Sequence, residues 1–231
     1  MSRLNVWLVQ FWRSNRALLI FLPLMFGFRS AIADWMVVPS GSMNPTLMEG
    51  DRIWVHKLEF GLRVPFTLIR LTDGELPQRG DIVVFESPAN GKTLVKRLIG
   101  LPGDRIAMRD EQLYINGVKA SYAPLGDDTA PGMVAEFTAV PHQLEREQLG
   151  QLDHAVMFLP ERGALRSFAP VDVPAGQYLM LGDNRDDSAD SRFIGLVPRR
   201  LLLGRATCVV VSLNPEHYYL PRTQRTLAQL H

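Results

Sequence analysis

The chain has 231 residues, room for one large domain with a small insertion. Hydrophobic residues make up 46% and charged residues 21%, which excludes a disordered or low-complexity chain. A formal net charge of +1 lacks the basic excess of a nucleic-acid binder, and the single cysteine, Cys208, supports neither an intramolecular disulfide nor a cysteine-built zinc site.

The N-terminal stretch carries Arg3, Arg13 and Arg16 and no acid. Ala17 to Phe28 follows without a charge, then Arg29 and Ser30-Ala-Ile-Ala-Asp34. Two readings compete. A basic flank, a short apolar core and Ala31-x-Ala33 describe a cleavable signal peptide. A single membrane anchor is the other, although the run falls short of the ~20 residues that a span needs. Arg29 can snorkel and extend the span to Ala33, with Trp7, Trp12 and Trp35 placed for the interfaces. In both cases the positive flank stays inside and the rest of the chain goes out. A buried core helix fits the flanking arginines and Pro23 least well.

Short β-like runs then dominate: Asp51 to Val55, Asp81 to Phe85, Thr93 to Ile99, Leu113 to Ile115, Tyr178 to Leu181 and Ala206 to Val211. Asn116-Gly117 between Leu113-Tyr-Ile115 and Val118-Lys-Ala120 predicts a tight hairpin. A helical spacing recurs over His142 to Leu152. The expected fold is mainly β on one N-terminal helix. Residues 121–176, rich in Pro, Gly and mixed charge, are expected to form an inserted lobe.

Several catalytic schemes fail. No Gly-x-Ser-x-Gly, His-Glu-x-x-His or Ser-x-x-Lys occurs, and Gly91-Lys92-Thr93 lacks the phosphate-loop glycine because Glu86 stands there. His56, His142, His154, His217 and His231 lie in no Gly- or Ser-rich turn and read as surface or packing residues. What remains is Pro39-Ser-Gly-Ser-Met-Asn-Pro-Thr-Leu47, a turn able to present a hydroxyl and aim backbone N–H groups at one point. The alternative is a plain linker leaving the N-terminal helix. A serine nucleophile needs a base, and Thr93-Leu-Val-Lys-Arg-Leu-Ile99 offers Lys96. On a strand Lys96 shares a face with Leu94 and Leu98, and Arg97 with Val95 and Ile99. Burial would lower the lysine pKa and let it act as a base, whereas an edge lysine in an ion pair would not. Gly182-Asp-Asn-Arg-Asp-Asp-Ser-Ala-Asp-Ser-Arg192 reads either as a solvated loop or as a fixed polar network, in which Ser188 can orient an amine.

Taken together, these blocks resemble the bacterial type I signal peptidases. Ser40 to Leu47 looks like the family's nucleophile box, and Gly50 to Lys57 like its next box. Arg79 to Phe85 with Lys96 to Asp104 looks like the box of the general base, and Gly182 to Arg192 like the last box. The resemblance implies a β-rich membrane-anchored protease with a Ser/Lys dyad: Ser42 as nucleophile, Lys96 as general base, and the Ser40 hydroxyl with the Ser42 N–H as oxyanion hole. Ser188 would orient the lysine. Asp183, Arg185, Asp190 and Arg192 would support the site, and Val38, Leu47 and Val95 would line the substrate pocket.

The resemblance also favours an anchor over residues 17–33, with residues 1–16 cytoplasmic and 34–231 forming the catalytic domain outside the bacterial inner membrane. The expected partners are preprotein signal peptides, cut after small-x-small sites, together with membrane lipid and nearby export machinery. Neither cofactor nor metal nor nucleic acid is implied. Many members carry two N-terminal segments and some a disulfide; this chain shows one segment and a lone cysteine, and Asn44 stands where others have Met or Glu. Two alternatives stay open: a related Ser/Lys peptidase of conjugative transfer or repressor self-cleavage, and an exported β-rich binding protein whose signal ends at Ala33.

Overall fold

The uncharged run from Ala17 to Phe28 lies inside one long helix, α1 (Arg3–Ala31), with Pro23 in its interior. The structure is a computed structural model that describes residues 3–125, 141–150 and 152–230. Among the described residues no helix is long and apolar enough to cross a membrane. Leu18, Phe21, Leu24 and Phe26 of α1 are nonetheless exposed. Among the described residues the helix is fastened to the strands at its C-terminal end. Lys57 Nζ donates to the Arg29 carbonyl (2.8 Å), and Asp34 pairs with Arg29 (2.7 Å) and Lys57 (3.2 Å).

The strands follow in chain order: β1 (Ala33–Val37), β2 (Asp51–His56), β3 (Ile82–Glu86), β4 (Thr93–Gly100), β5 (Arg105–Arg109), β6 (Gln112–Ile115), β7 (Val118–Lys119) and β8 (Ser121–Pro124). After them come β9 (Gln143–Leu149), β10 (Leu152–Phe158), β11 (Phe168–Asp172), β12 (Gln177–Leu181), β13 (Val197–Pro198), β14 (Leu202–Asn214), β15 (Leu220–Pro221) and β16 (Ala228–Gln229). A mainly β fold with an N-terminal helix is thus what the sequence builds.

Among the described residues the main sheet runs β1-β2-β14-β3-β4-β12-β13, with β15 and β16 paired to β14. β3 is apolar from Ile82 to Phe85 because it is covered on both faces there. Ile82 and Val84 enter one core with Val38, Leu47 and Ile53, while Val83 and Phe85 enter another with Phe60, Leu98 and Met180. A smaller sheet, β11-β5-β6-β7, encloses a third core around Ile106 and Leu113. The expected hairpin closes β6 onto β7, with Asn116 at φ 52° and Gly117 at φ 82°, the left-handed pair that such a two-residue turn requires.

The helix expected over His142 to Leu152 is overturned. That segment is strand β9 and the start of β10, an antiparallel pair turning at Gly150, and β8 completes a three-stranded sheet. Leu144 and Glu147 are both buried, a spacing of three that imitates a helix face. They point to opposite sides of a strand, Leu144 into a small apolar cluster with Met157 and Glu147 into a polar one. Of the expected lobe 121–176, residues 126–140 and 151 lie outside the described residues, as does His231.

Candidate active site

Beyond β1, Val38 donates to the Asp51 carbonyl (2.8 Å) and accepts from Gly50 N–H (3.0 Å). Pro39 has no N–H to continue the ladder, and the chain turns into a 3₁₀ turn, Gly41–Met43. Asn44 N–H closes it on the Gly41 carbonyl (3.0 Å), and Leu47 N–H bonds the Met43 carbonyl (2.9 Å). Met43 and Leu47 are pulled into the core, which leaves Ser42 pointing away from it.

Lys96 donates its ammonium to Ser42 Oγ. Ser40 Oγ lies 3.5 Å from the same hydroxyl. The sequence left open which face of β4 is buried, and the structure buries both: Lys96 is 3% and Arg97 0% exposed. Burial drives the Lys96 pKa down to about 8, against the pull of Asp190 and Asp183, which favour the charged form. Its neighbour Arg97 points the other way and grips Asp183 through Nε (2.9 Å) and Nη2 (2.8 Å), with Nη1 on the Gly80 carbonyl (2.9 Å). Asp183 also accepts from Thr46 Oγ1 (2.5 Å). Although burial opposes it, Arg97 leads the interactions that hold the Asp183 carboxyl below its usual range.

The loop after β12 is the third wall. Asn184 N–H donates to the Ser42 carbonyl (3.2 Å) and its side-chain amide to the Gly41 carbonyl (3.1 Å). Gly182 N–H donates to Asp190 (3.0 Å), which is itself gripped by Arg192 through Nε and Nη2, both at 2.8 Å. Asp190 also caps the short helix α2 (Ser191–Ile194). Gly182 tolerates no side chain: a Cβ there would lie 2.5 Å from the Ser42 carbonyl oxygen and closer still to Ser188 Oγ. Ser188 therefore packs against the same glycine as the Ser42 turn. Its hydroxyl is buried without a hydrogen-bond partner among the described residues, and the expected bond to Lys96 is not formed. Arg185 turns outward from the pair, to Glu147 of β9.

A cleft of about 250 Å³ opens beside the pair, lined by Met36, Val38 and Ser40 on one bank and by Leu94, Val95 and Lys96 on the other. Val38 and Val95 stand where the pocket was expected. Leu47 does not: it is fully buried behind Met43 and Val38. Its apolar character marked it equally for core or cleft. On the side facing this cleft, the Thr93–Lys96 half of β4 has no strand partner among the described residues, since β12 begins its pairing at Arg97.

Asn184, Thr46 and Gly182 also hold the site, and sequence reasoning did not single them out. They lie inside the quoted blocks, but only the folded geometry shows what each one touches. Among the described residues no histidine bonds Ser42. His154 is buried 4.0 Å from Asp183, while His56 and His217 are exposed.

A buried lysine on a serine hydroxyl, with backbone N–H groups alongside, is the equipment of acyl transfer. Comparison with known proteins agrees. Residues 11–211 match the family model described as signal peptidase, peptidase S26. Signal peptidase I of Pseudomonas aeruginosa is 35% identical over 221 residues, covering 89% of this chain and 75% of that protein. Signal peptidase I of Haemophilus influenzae is 30% identical, covering 84% and 68% of the two chains. A crystal structure of a signal peptidase I from Enterococcus faecalis shares 36% identity over 57% of this chain and 97% of that one, with a TM-score of 0.34. With a family model spanning most of its length and relatives of this identity along nearly all of it, the chain belongs to the signal peptidase family, peptidase S26.

Proposed function

We propose that Ser42 and Lys96 carry out signal-peptide cleavage in this chain, Ser42 as nucleophile and Lys96 as its general base. Family membership makes the protein a serine endopeptidase that removes signal peptides from preproteins. The observation that carries the assignment is the buried Lys96 ammonium on Ser42 Oγ. The neutral amine takes the serine proton as Oγ attacks the scissile carbonyl, and the resulting ammonium returns it to the leaving amine. The Ser42 N–H and the Ser40 hydroxyl receive the oxyanion. The Ser188 hydroxyl, which has no other partner among the described residues, is available to orient the lysine. Asp183, Asp190 and Arg192 hold the surrounding loop, and Arg185 ties it to β9.

The pH dependence follows directly. A lysine at its ordinary pKa near 10.4 would be almost wholly charged at neutrality, whereas one titrating at about 8 is neutral in about a tenth of molecules at pH 7. The cleavage rate is expected to climb between pH 7 and 9 with a midpoint near that value. A rate flat from pH 6 to 9 would exclude Lys96 as the base.

The cleft banks support substrate bound as an extended strand, its backbone pairing with the open half of β4. Val38 and Val95 leave room for a methyl group and little more. Forcing a large side chain in displaces packed atoms at ~1–3 kcal/mol, so cleavage after small-x-small sequences is expected. In a preprotein series, Phe in place of Ala just before the cut should slow cleavage at that bond by about tenfold or more. Equal rates at the same bond would rule out the pocket, and Ser42→Ala protein run alongside excludes a contaminating protease.

The domain reading places 1–16 in the cytoplasm, 17–33 in the bilayer and 34–231 outside, with 121–176 as an inserted lobe. Exposed apolar side chains along α1 support it, together with exposed Phe66, Ile69 and Leu71 on a loop tied to the end of α1 through Phe66 N–H and Ser30 Oγ (2.7 Å). These would meet lipid, so lipid or detergent is expected to favour activity.

A further inference from the structure

We propose that Glu147, from a strand that no motif covers, is a positioning residue for the Ser42–Lys96 pair and acts through Arg185. The proposal rests on the reading of that pair given above. Glu147 is fully buried and receives both ends of the Arg185 guanidinium, Nη1 on Oε2 and Nη2 on Oε1, each at 2.6 Å. Tyr122 of β8 adds its hydroxyl to Oε2 (2.5 Å), and its own oxygen is fixed by Leu113 N–H (3.0 Å). His154 of β10 closes the far side, 3.3 Å from Glu147 and 4.0 Å from Asp183. Three strands of one small sheet thus converge on Glu147, which in turn holds a single arginine of the catalytic loop.

The main chain reinforces the link. Met157 N–H donates to the Asp183 carbonyl (2.8 Å), and Arg185 N–H to the Met157 carbonyl (2.9 Å). Asp183 and Asn184, immediately before Arg185, are the residues that hold Arg97, Thr46 and the Ser42 turn. The charged neighbours that lead the action on Lys96 among the described residues, Asp190, Asp183, Arg192 and Asp187, come from this loop and its continuation. A bidentate, fully desolvated carboxylate–guanidinium pair is stiff and directional, which suits it to fix a loop. Removing one partner strands the other charge in the interior, so the loop would move to rehydrate it.

The test is preprotein cleavage by the full chain in detergent, comparing wild type, Glu147→Gln and Tyr122→Phe. Thermal unfolding gives the folded fraction to which each rate is scaled. For Glu147→Gln the turnover number is expected to fall between about tenfold and a hundredfold, the cost of a small misplacement at a reacting centre. KM should stay within about twofold, because the cleft is untouched. The midpoint of the pH–rate profile should move upward as water reaches Lys96, burial being the main cause of its depression. Tyr122→Phe keeps both Arg185 bonds and should show a smaller loss of the same kind, and Glu147→Asp should recover part of what Gln loses. Folded Glu147→Gln with wild-type turnover and an unmoved midpoint overturns the proposal, as does a loss that only follows the unfolded fraction. Failure of the dyad reading shows separately, as surviving activity in Ser42→Ala or Lys96→Ala.

Discussion

Lys96→Ala and Ser42→Ala are each expected to lower the cleavage rate by about four to six orders of magnitude, and the double variant to be no worse than either alone. The non-additivity is the informative part. The two side chains share one proton, so removing either leaves the other without a task. Both substitutions shorten a side chain at the cleft without touching the core clusters, so folding should survive. Turnover of a preprotein under single-enzyme conditions gives the measurement. His56→Ala and His217→Ala serve as controls, because both side chains are exposed. A histidine control as inactive as Ser42→Ala would remove the lysine from the mechanism.

Arg97→Met is expected to cost about 3–5 kcal/mol of stability near neutral pH, because it leaves the Asp183 carboxylate buried and unpaired. In the wild type Arg97 helps to keep the folded pKa of Asp183 below its unfolded value. The stability it contributes is therefore complete above the unfolded pKa and is lost as pH falls through the folded one. Without Arg97, burial is the largest remaining influence and raises the folded pKa above the unfolded value. The variant then takes up a proton on folding, and its deficit against wild type should shrink as pH falls from 7 toward 4. Urea unfolding at the two pH values measures it. An equal deficit at both would mean that Asp183 finds another partner or is never charged. Activity should fall as well, since Asp183 also holds Thr46 at the Ser42 turn.

The strands around the site were readable because their chemistry is local. β2 alternates buried with more exposed residues, Ile82 to Phe85 of β3 is a bare apolar run between two cores, and Asn116-Gly117 permits little else but a tight turn. Lys96 was legible as a base only under the condition that its face is buried. The condition is met in a way that periodicity cannot express, since both faces of β4 are covered there. Leu47 was misplaced because an apolar residue near a nucleophile serves a core as readily as a pocket. Glu147 was invisible for a deeper reason. A glutamate in a strand of mixed charge reads as solvated, and only its partner 38 residues later in sequence makes its burial possible. The helix expected at His142 to Leu152 failed because the stretch turns back at Gly150, so its residues belong to two paired strands and not to one helical face.

The order of strands in the main sheet divides the site between two halves of the fold. β14, near the end of the chain, lies between β2 and β3 and holds the two halves of the sheet together. Ser42 hangs from the β2 half and Lys96 from the β3 half. The reacting pair therefore straddles a seam. On one side β14 closes it through the main-chain ladder, and on the other the loop after β12 closes it, with Asn184 on Gly41 and Asp183 on Thr46. Neither half carries a working site alone, and the distance between nucleophile and base is set by how well these two fastenings agree.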